Sequence, residues 1–166
     1  MDTNQPLRDP ARAISALPNV LDAIIVDIGG TLVSEQPPTT SVNDLHPTLL
    51  HSVREDLQLL KSYVRLGAAT NTSVMREHDV RRLLALAGID DYLEVVVTSV
   101  DVGAAKPDPR VLHEVLKRLA LPSAERALYV GDRDTDEEAA LRAGMPFAKI
   151  REEGLLATVT HWLNPG

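Results

Sequence analysis

The sequence predicts an α/β domain built on a parallel sheet with helices on both faces. Three observations carry this. Short β-branched apolar runs alternate with helix-period segments along most of the chain. The chain has 166 residues, which suits one domain with a full core. Apolar residues make up 44% and aromatics only 3%, so Leu, Val, Ile and Ala must build that core.

Each element has a local reason. Residues 1–19 are polar and hold three prolines, so 1–20 read as a loose N-terminal arm with at most one helical turn, and 21–166 as the core domain. LDAIIVDI (21–28) is short, β-branched and stopped by Gly-Gly, the pattern of a buried strand. SEQPPTTSVNDLHP (34–47) has loop chemistry. TLLHSVREDLQLLKSYV (48–64) places Leu49, Leu50, Val53, Leu57 and Leu60 near helical spacing. RLGAATN (65–71) reads as a strand, and VMREHDVRRLLALAG (74–88) as an amphipathic helix ended by Gly88. EVVVTSV (94–100) is strand-like. PRVLHEVLKRLAL (109–121) is a helix with Pro109 near its first turn. RALYVGD (126–132) is a strand and turn, followed by the helix DEEAALRAG (136–144), with acids at its start and Gly144 at its end. FAKI (147–150) is a short strand, and EGLLATVTHWL (153–163) a helix, which Trp162 is expected to pack.

Composition excludes several functions. The formal net charge of −7 opposes a nucleic-acid surface, which needs clustered Lys and Arg. With no cysteine there is no disulfide, thiolate metal site or Cys nucleophile. The start of the chain lacks the basic-then-apolar pattern of a secretory signal, and no segment approaches the ~20 apolar residues of a membrane span, so the expected location is cytoplasmic. The five histidines show no metal-ligand spacing.

On sheets of this kind ligands bind beyond the carboxyl ends of the strands. Four strand ends hold polar groups: Asp27; Thr70 and Asn71; Lys106; and Asp132 with Asp136. Two carboxylates at neighbouring strand ends make an oxygen-rich site suited to Mg²⁺. A Lys and a hydroxyl on the same rim can hold a tetrahedral anion, and a carboxylate facing a phosphoryl group can attack it.

These four segments resemble, in order, the four motifs of the haloacid dehalogenase superfamily. VDIGGTL is similar to its DxDGTL, AATNTS to its apolar run ending in Thr or Ser, GAAKPDP to its Lys-Pro segment, and YVGDRDTDEEAALRAG to its GDxxxD and following helix. The resemblance covers about residues 21–150. It implies a three-layer αβα, Rossmann-like, doubly wound sheet of strand order 3-2-1-4-5, with Asp27 and Asp132 on adjacent strands. It further implies an Mg²⁺-dependent phosphohydrolase acting through an aspartyl-phosphate on Asp27. Thr70, Asn71, Lys106 and Gly30 would hold the phosphate. Asp27, the Gly29 carbonyl, Asp132 and Asp136 would surround the metal, with Asp136 as ligand, orienter or helix N-cap. Thr31 would support the turn with its hydroxyl, and Asp134 would be solvated. DIGGT also occurs in sugar kinases, where Asp27 would help hold the metal of bound ATP. A β-hairpin should then follow, and SEQPPTT does not supply its second strand.

Two departures matter. Phosphatases of the superfamily carry a second Asp, a general acid–base, two residues after the nucleophile, and here that position is Gly29. Three outcomes stay open: a substrate with a good leaving group, a substitute acid of which Glu35 is the nearest by sequence, or a relative that binds Mg²⁺ and phosphate without efficient turnover. The segments between motifs also leave no room for a substantial cap domain. An open site accepts large phosphorylated substrates, macromolecules included, or is closed by another subunit; the arm and the helix over 153–163 are the candidate homodimer contacts.

Overall fold

The computed structural model describes residues 10–35 and 46–166. Most of the loop expected over 34–47, and the first part of the arm, lie outside the described residues. The strands are β1 (Ala23–Val26), β2 (Arg65–Thr70), β3 (Val95–Thr98), β4 (Ala127–Gly131) and β5 (Phe147–Lys149). They form one parallel sheet of order β3-β2-β1-β4-β5, as the resemblance implies. The helices are α1 (Pro10–Ser15), α2 (Val53–Lys61), α3 (Glu77–Leu86), α4 (Ser99–Val102), α5 (Arg110–Arg118), α6 (Asp134–Ala143) and α7 (Leu155–Leu163).

Strand alternation divides the core into two layers. Ile24, Val26, Leu66, Ala68, Val96, Leu128 and Val130 face a cluster with α1, α2, α3 and α7. Ala23, Ile25, Ala69, Val95, Val97, Ala127 and Tyr129 face α5 and α6. Every residue of β1 is buried, which is why AIIV reads as a continuous apolar run rather than an alternating one. Trp162 packs partly buried against the first cluster.

Three boundaries differ from the sequence reading. Residues 10–19 are not loose: they form α1 and a 3₁₀ turn over Leu17–Asn19, and Ile14 and Leu17 are fully buried. Two of the three prolines that suggested looseness, Pro10 and Pro18, stand at helix starts, where a missing N–H costs nothing. Next, α2 begins at Val53 rather than 48, because residues 48–50 first run beside 32–34. Ser34 N donates to Thr48 O (2.9 Å) and Leu50 N to Leu32 O (2.9 Å). Finally, α6 begins at Asp134, two residues early. The buried Asp56 on α2 accepts Leu156 N at 3.0 Å, so one helix supplies an acceptor to the first turn of another.

Candidate active site

Register carries the strand ends to one edge. Val26 lies opposite Ala68 on one side and Val130 on the other, and Asp27 N still donates to Val130 O at 2.9 Å. The Asp27 side chain therefore leaves the sheet between the ends of β2 and β4. Asp27, Gly29, Thr70, Asn71, Lys106 and Asp136 line one cleft, with Glu35, Arg133 and Thr135 completing it. Its volume is about 70 Å³, room for a phosphoryl group and a few waters.

At the floor is a buried ammonium. Lys106 has 2% of its side chain exposed, and Nζ reaches Tyr129 Oη and Asp136 Oδ1 at 2.6 Å, Asp27 Oδ1 at 3.1 Å and Ala69 O at 3.1 Å. An ammonium has three protons for these four acceptors. Tyr129 resolves the surplus. Burial first, then the charges of Asp27 and Asp136, pushes its phenol well above its ordinary value, so it stays protonated. Its hydroxyl accepts from Lys106 and gives its one proton to Asp136 Oδ1 (3.0 Å) or to Ala69 O (3.1 Å), so the other two Lys protons serve Asp27 and whichever of these two acceptors remains.

The Lys106 main chain is fixed as well. Asn71 Nδ2 donates to Lys106 O (3.1 Å), and Lys106 N donates to Asn71 Oδ1 (2.9 Å). Asn71 thus spends its amide on the lysine loop, a use the sequence reading did not anticipate. Thr70 Oγ1 makes only a 3.5 Å contact with Asn71 O, the outer limit of a hydrogen bond.

Asp136 is almost fully buried, and both of its oxygens are engaged. Oδ1 meets Lys106 and Tyr129; Oδ2 accepts Asp132 N (3.2 Å) and Arg133 N (3.1 Å). Arg133, not Asp136, is the N-cap residue of α6, and Asp136 caps the helix from its third position. Two glycines allow these approaches. A Cβ on Gly131 would lie 2.5 Å from Asp136 Oδ2, and one on Gly30, whose φ is +80°, would lie 2.3 Å from Asp132 Oδ2. Gly30 is thus the surface on which Asp132 rests. Asp134 is exposed, in keeping with a solvated side chain. The turn at Thr31 is held by its main chain: Thr31 N donates to Ile28 O at 3.1 Å, while its buried hydroxyl has no partner among the described residues.

Carboxylate oxygens of Asp27, Asp132 and Asp136 lie within 4.8 Å of one another. Lys106 pairs with two of them, Asp27 and Asp136. Burial above all, with the charge of Asp136 adding to it, pushes the Asp27 carboxyl up to about 6 despite the opposing pull of Lys106. Asp132 Oδ1 is buried without a hydrogen-bond partner among the described residues. An orphaned buried oxygen beside excess negative charge fits a small, hard cation, and Mg²⁺ matches the all-oxygen donor set.

Tyr129, Arg133 and Thr135 were not singled out in the sequence. Tyr129 falls within the strand RALYVGD, and it is a core residue except for its hydroxyl, which joins the Lys106 network. Arg133 sits between two motif acids and pairs with Glu35 (Nη2 to Oε1, 2.7 Å).

Comparison with known proteins agrees with this architecture. A family profile described as haloacid dehalogenase-like hydrolase matches residues 24–150. The glyceraldehyde 3-phosphate phosphatase of Methanopyrus kandleri is 37% identical over 109 residues, which are 65% of this chain and 42% of that one. The phosphoglycolate phosphatase of Rhodobacter capsulatus is 30% identical over 139 residues, 84% of this chain and 57% of that one. The chain thus spans about half the length of these relatives. Among solved structures, a protein of Listeria monocytogenes serotype 4b superposes with a TM-score of 0.70 at 25% identity over 79% of each chain. The HAD-hydrolase YfnB of Bacillus subtilis, bound to magnesium, superposes with a TM-score of 0.69 at 14% identity, covering 87% of this chain and 99% of that one, a likeness of fold.

Proposed function

The chain belongs to the haloacid dehalogenase-like hydrolase family, and on that premise we propose that it is a phosphatase in which Asp27 is the nucleophile toward a phosphate monoester. The observation that supports this most directly is the buried Lys106 ammonium set between Asp27 and Asp136 at the strand ends. A nucleophilic carboxylate needs a fixed cation close enough to orient it and to balance the phosphoryl charge it meets. Lys106 has that position and little freedom to leave it.

The remaining roles follow from contacts. Thr70, with its hydroxyl weakly held, and the Lys106 ammonium offer donors to phosphoryl oxygens. Asn71 contributes by holding the lysine loop. Asp27, Asp132 and the Gly29 carbonyl are the groups that would hold Mg²⁺, and Asp136, its oxygens already used, would act as orienter of Lys106 and of the Asp132 main chain. Bound there, Mg²⁺ would neutralise and align the phosphoryl group. The relatives named above act on phosphate monoesters, and that is the substrate class we assign. With no cap domain among the described residues, the class would extend to large phosphorylated molecules, whose bulk projects away from the cleft.

Gly29 favours a second reading, a relative that binds Mg²⁺ and phosphate with little turnover. One experiment separates the two: phosphate release from a panel of monoesters with Mg²⁺, wild type against Asp27→Asn. Turnover by the wild type that vanishes in the variant is expected. A wild type no faster than Asp27→Asn, yet binding a phosphate mimic with Mg²⁺, would establish the second reading.

A further inference from the structure

Hydrolysis through a phosphorylated carboxylate needs a proton for the departing oxygen and a base for the water that follows. Resting on the phosphatase reading above, the choice of that group is narrow. Three described carboxylates line the cleft, and a fourth, Asp132, stands beside Asp27 and Asp136. Asp27 is the nucleophile. Asp136 has both oxygens in buried hydrogen bonds. Asp132 turns a carboxylate toward the cation site, packed on Gly30.

Glu35 differs from all three. It lines the cleft and stands outside the buried network. Its side chain is 55% exposed, so protons can exchange with solvent. Its two oxygens are not equivalent. Oε1 takes Arg133 Nη2 at 2.7 Å, while Oε2 lies 3.5 Å from the point where a Cβ on Gly29 would sit. The carboxylate therefore lies over bare backbone, two residues from Asp27, in space that a side chain at 29 would contest. Arg133 in turn is fixed by its main chain, since Arg133 N donates to Asp136 Oδ2.

We propose that Glu35, held by Arg133 over the bare backbone of Gly29, is the acid–base catalyst of the reaction. In the first step an Asp27 oxygen bonds to phosphorus, the bond from phosphorus to the leaving oxygen breaks, and the Glu35 carboxyl proton goes to that oxygen. In the second, water bonds to phosphorus, its proton goes to the Glu35 carboxylate, and the bond from phosphorus to Asp27 breaks. Asp27 is regenerated, inorganic phosphate leaves, and Glu35 is protonated as at the start. Arg133 is a positioning residue: by engaging Oε1 it leaves Oε2 for the proton.

The test uses Glu35→Gln with two substrates and Mg²⁺. On an alkyl phosphate, whose leaving group needs the proton, kcat should fall about 10²–10⁴-fold. On 4-nitrophenyl phosphate, whose leaving group does not, the first step should survive and the second should stall. The variant should then show a burst of one nitrophenolate per enzyme followed by slow turnover. Glu35→Asp should recover part of the alkyl rate, and Gly29→Asp placed in the Glu35→Gln background should restore it by supplying a carboxyl to the same space. If Glu35 merely straps the loop, both steps slow together and no burst appears, which overturns the proposal. So does a Glu35→Gln variant within a few-fold of wild type on both substrates. Equal rates for wild type and Asp27→Asn would instead remove the phosphatase reading, and this proposal with it.

Discussion

Replacing Asp27 by Asn should stabilise the cation-free protein while destroying its chemistry. The Asp27 side chain is 8% exposed, and its carboxyl is pushed from 3.8 up to about 6, by burial first, with Asp136 adding and Lys106 opposing. A carboxyl raised on folding holds its proton more tightly folded than unfolded, so stability falls as pH rises from about the unfolded value to the folded one. Below about pH 4 the penalty is absent, and above about pH 6 it is complete. A rise from 3.8 to about 6 corresponds to about 3 kcal/mol at neutral pH. Asparagine keeps the shape, can still accept from Lys106, and has no proton to lose. Urea unfolding of both proteins in a chelator, from acidic to neutral pH, is the assay. The two stabilities should converge near pH 4 and separate toward pH 7 by up to about 3 kcal/mol, with the variant the more stable. Added Mg²⁺ should narrow the gap, because the cation favours the folded wild type by mass action. Parallel pH curves, or a variant less stable than wild type at neutral pH, would refute the reasoning.

Other perturbations have their own signatures. Lys106→Met leaves Asp27 and Asp136 buried without their ammonium, so a loss of about 3–5 kcal/mol at neutral pH is expected in urea unfolding, smaller at acidic pH where Asp27 is neutral. Gly30→Ala forces a left-handed residue to carry a Cβ against Asp132 Oδ2; about 1–2 kcal/mol of stability should go. In the same variant Mg²⁺ affinity by calorimetry should fall about tenfold or more. Asp56→Ala removes the acceptor from the first turn of α7 and should cost about 0.5–2 kcal/mol by thermal unfolding, without changing Mg²⁺ affinity.

Much of this arrangement was legible because topology does the gathering. In a doubly wound sheet, polar residues just past the strands must meet at one edge, so Asp27, Thr70, Lys106 and Asp136 could be grouped from their places after apolar runs alone. What stayed hidden depends on single atoms. Tyr129 alternates like any core residue of β4, and only its hydroxyl, five or more bonds from the backbone, reaches Lys106. The Asn71 amide turns to a main chain 35 residues away, which no local pattern encodes. Arg133 pairs with Glu35, 98 residues earlier, which no local pattern encodes either. The early part of the chain was misjudged for another reason: prolines at helix starts look the same in sequence as prolines in loose segments, and Ile14 and Leu17 join a cluster whose other members come mostly from distant elements.

The central strand has a consequence for how this chain is born. β1 leaves the ribosome before the other described strands, yet one of its two neighbours does not exist until Ala127 has been made. Until then the most apolar ribbon of the protein has an open flank, and α1 awaits the surface that α7 will offer. Such late-arriving partners defer cooperative folding and leave an aggregation-prone nascent chain in need of shielding. The same wiring that gathers the strand ends into one cleft thus makes the cleft among the last features to form, so that a stalled translation product would carry Asp27 long before it could carry any chemistry.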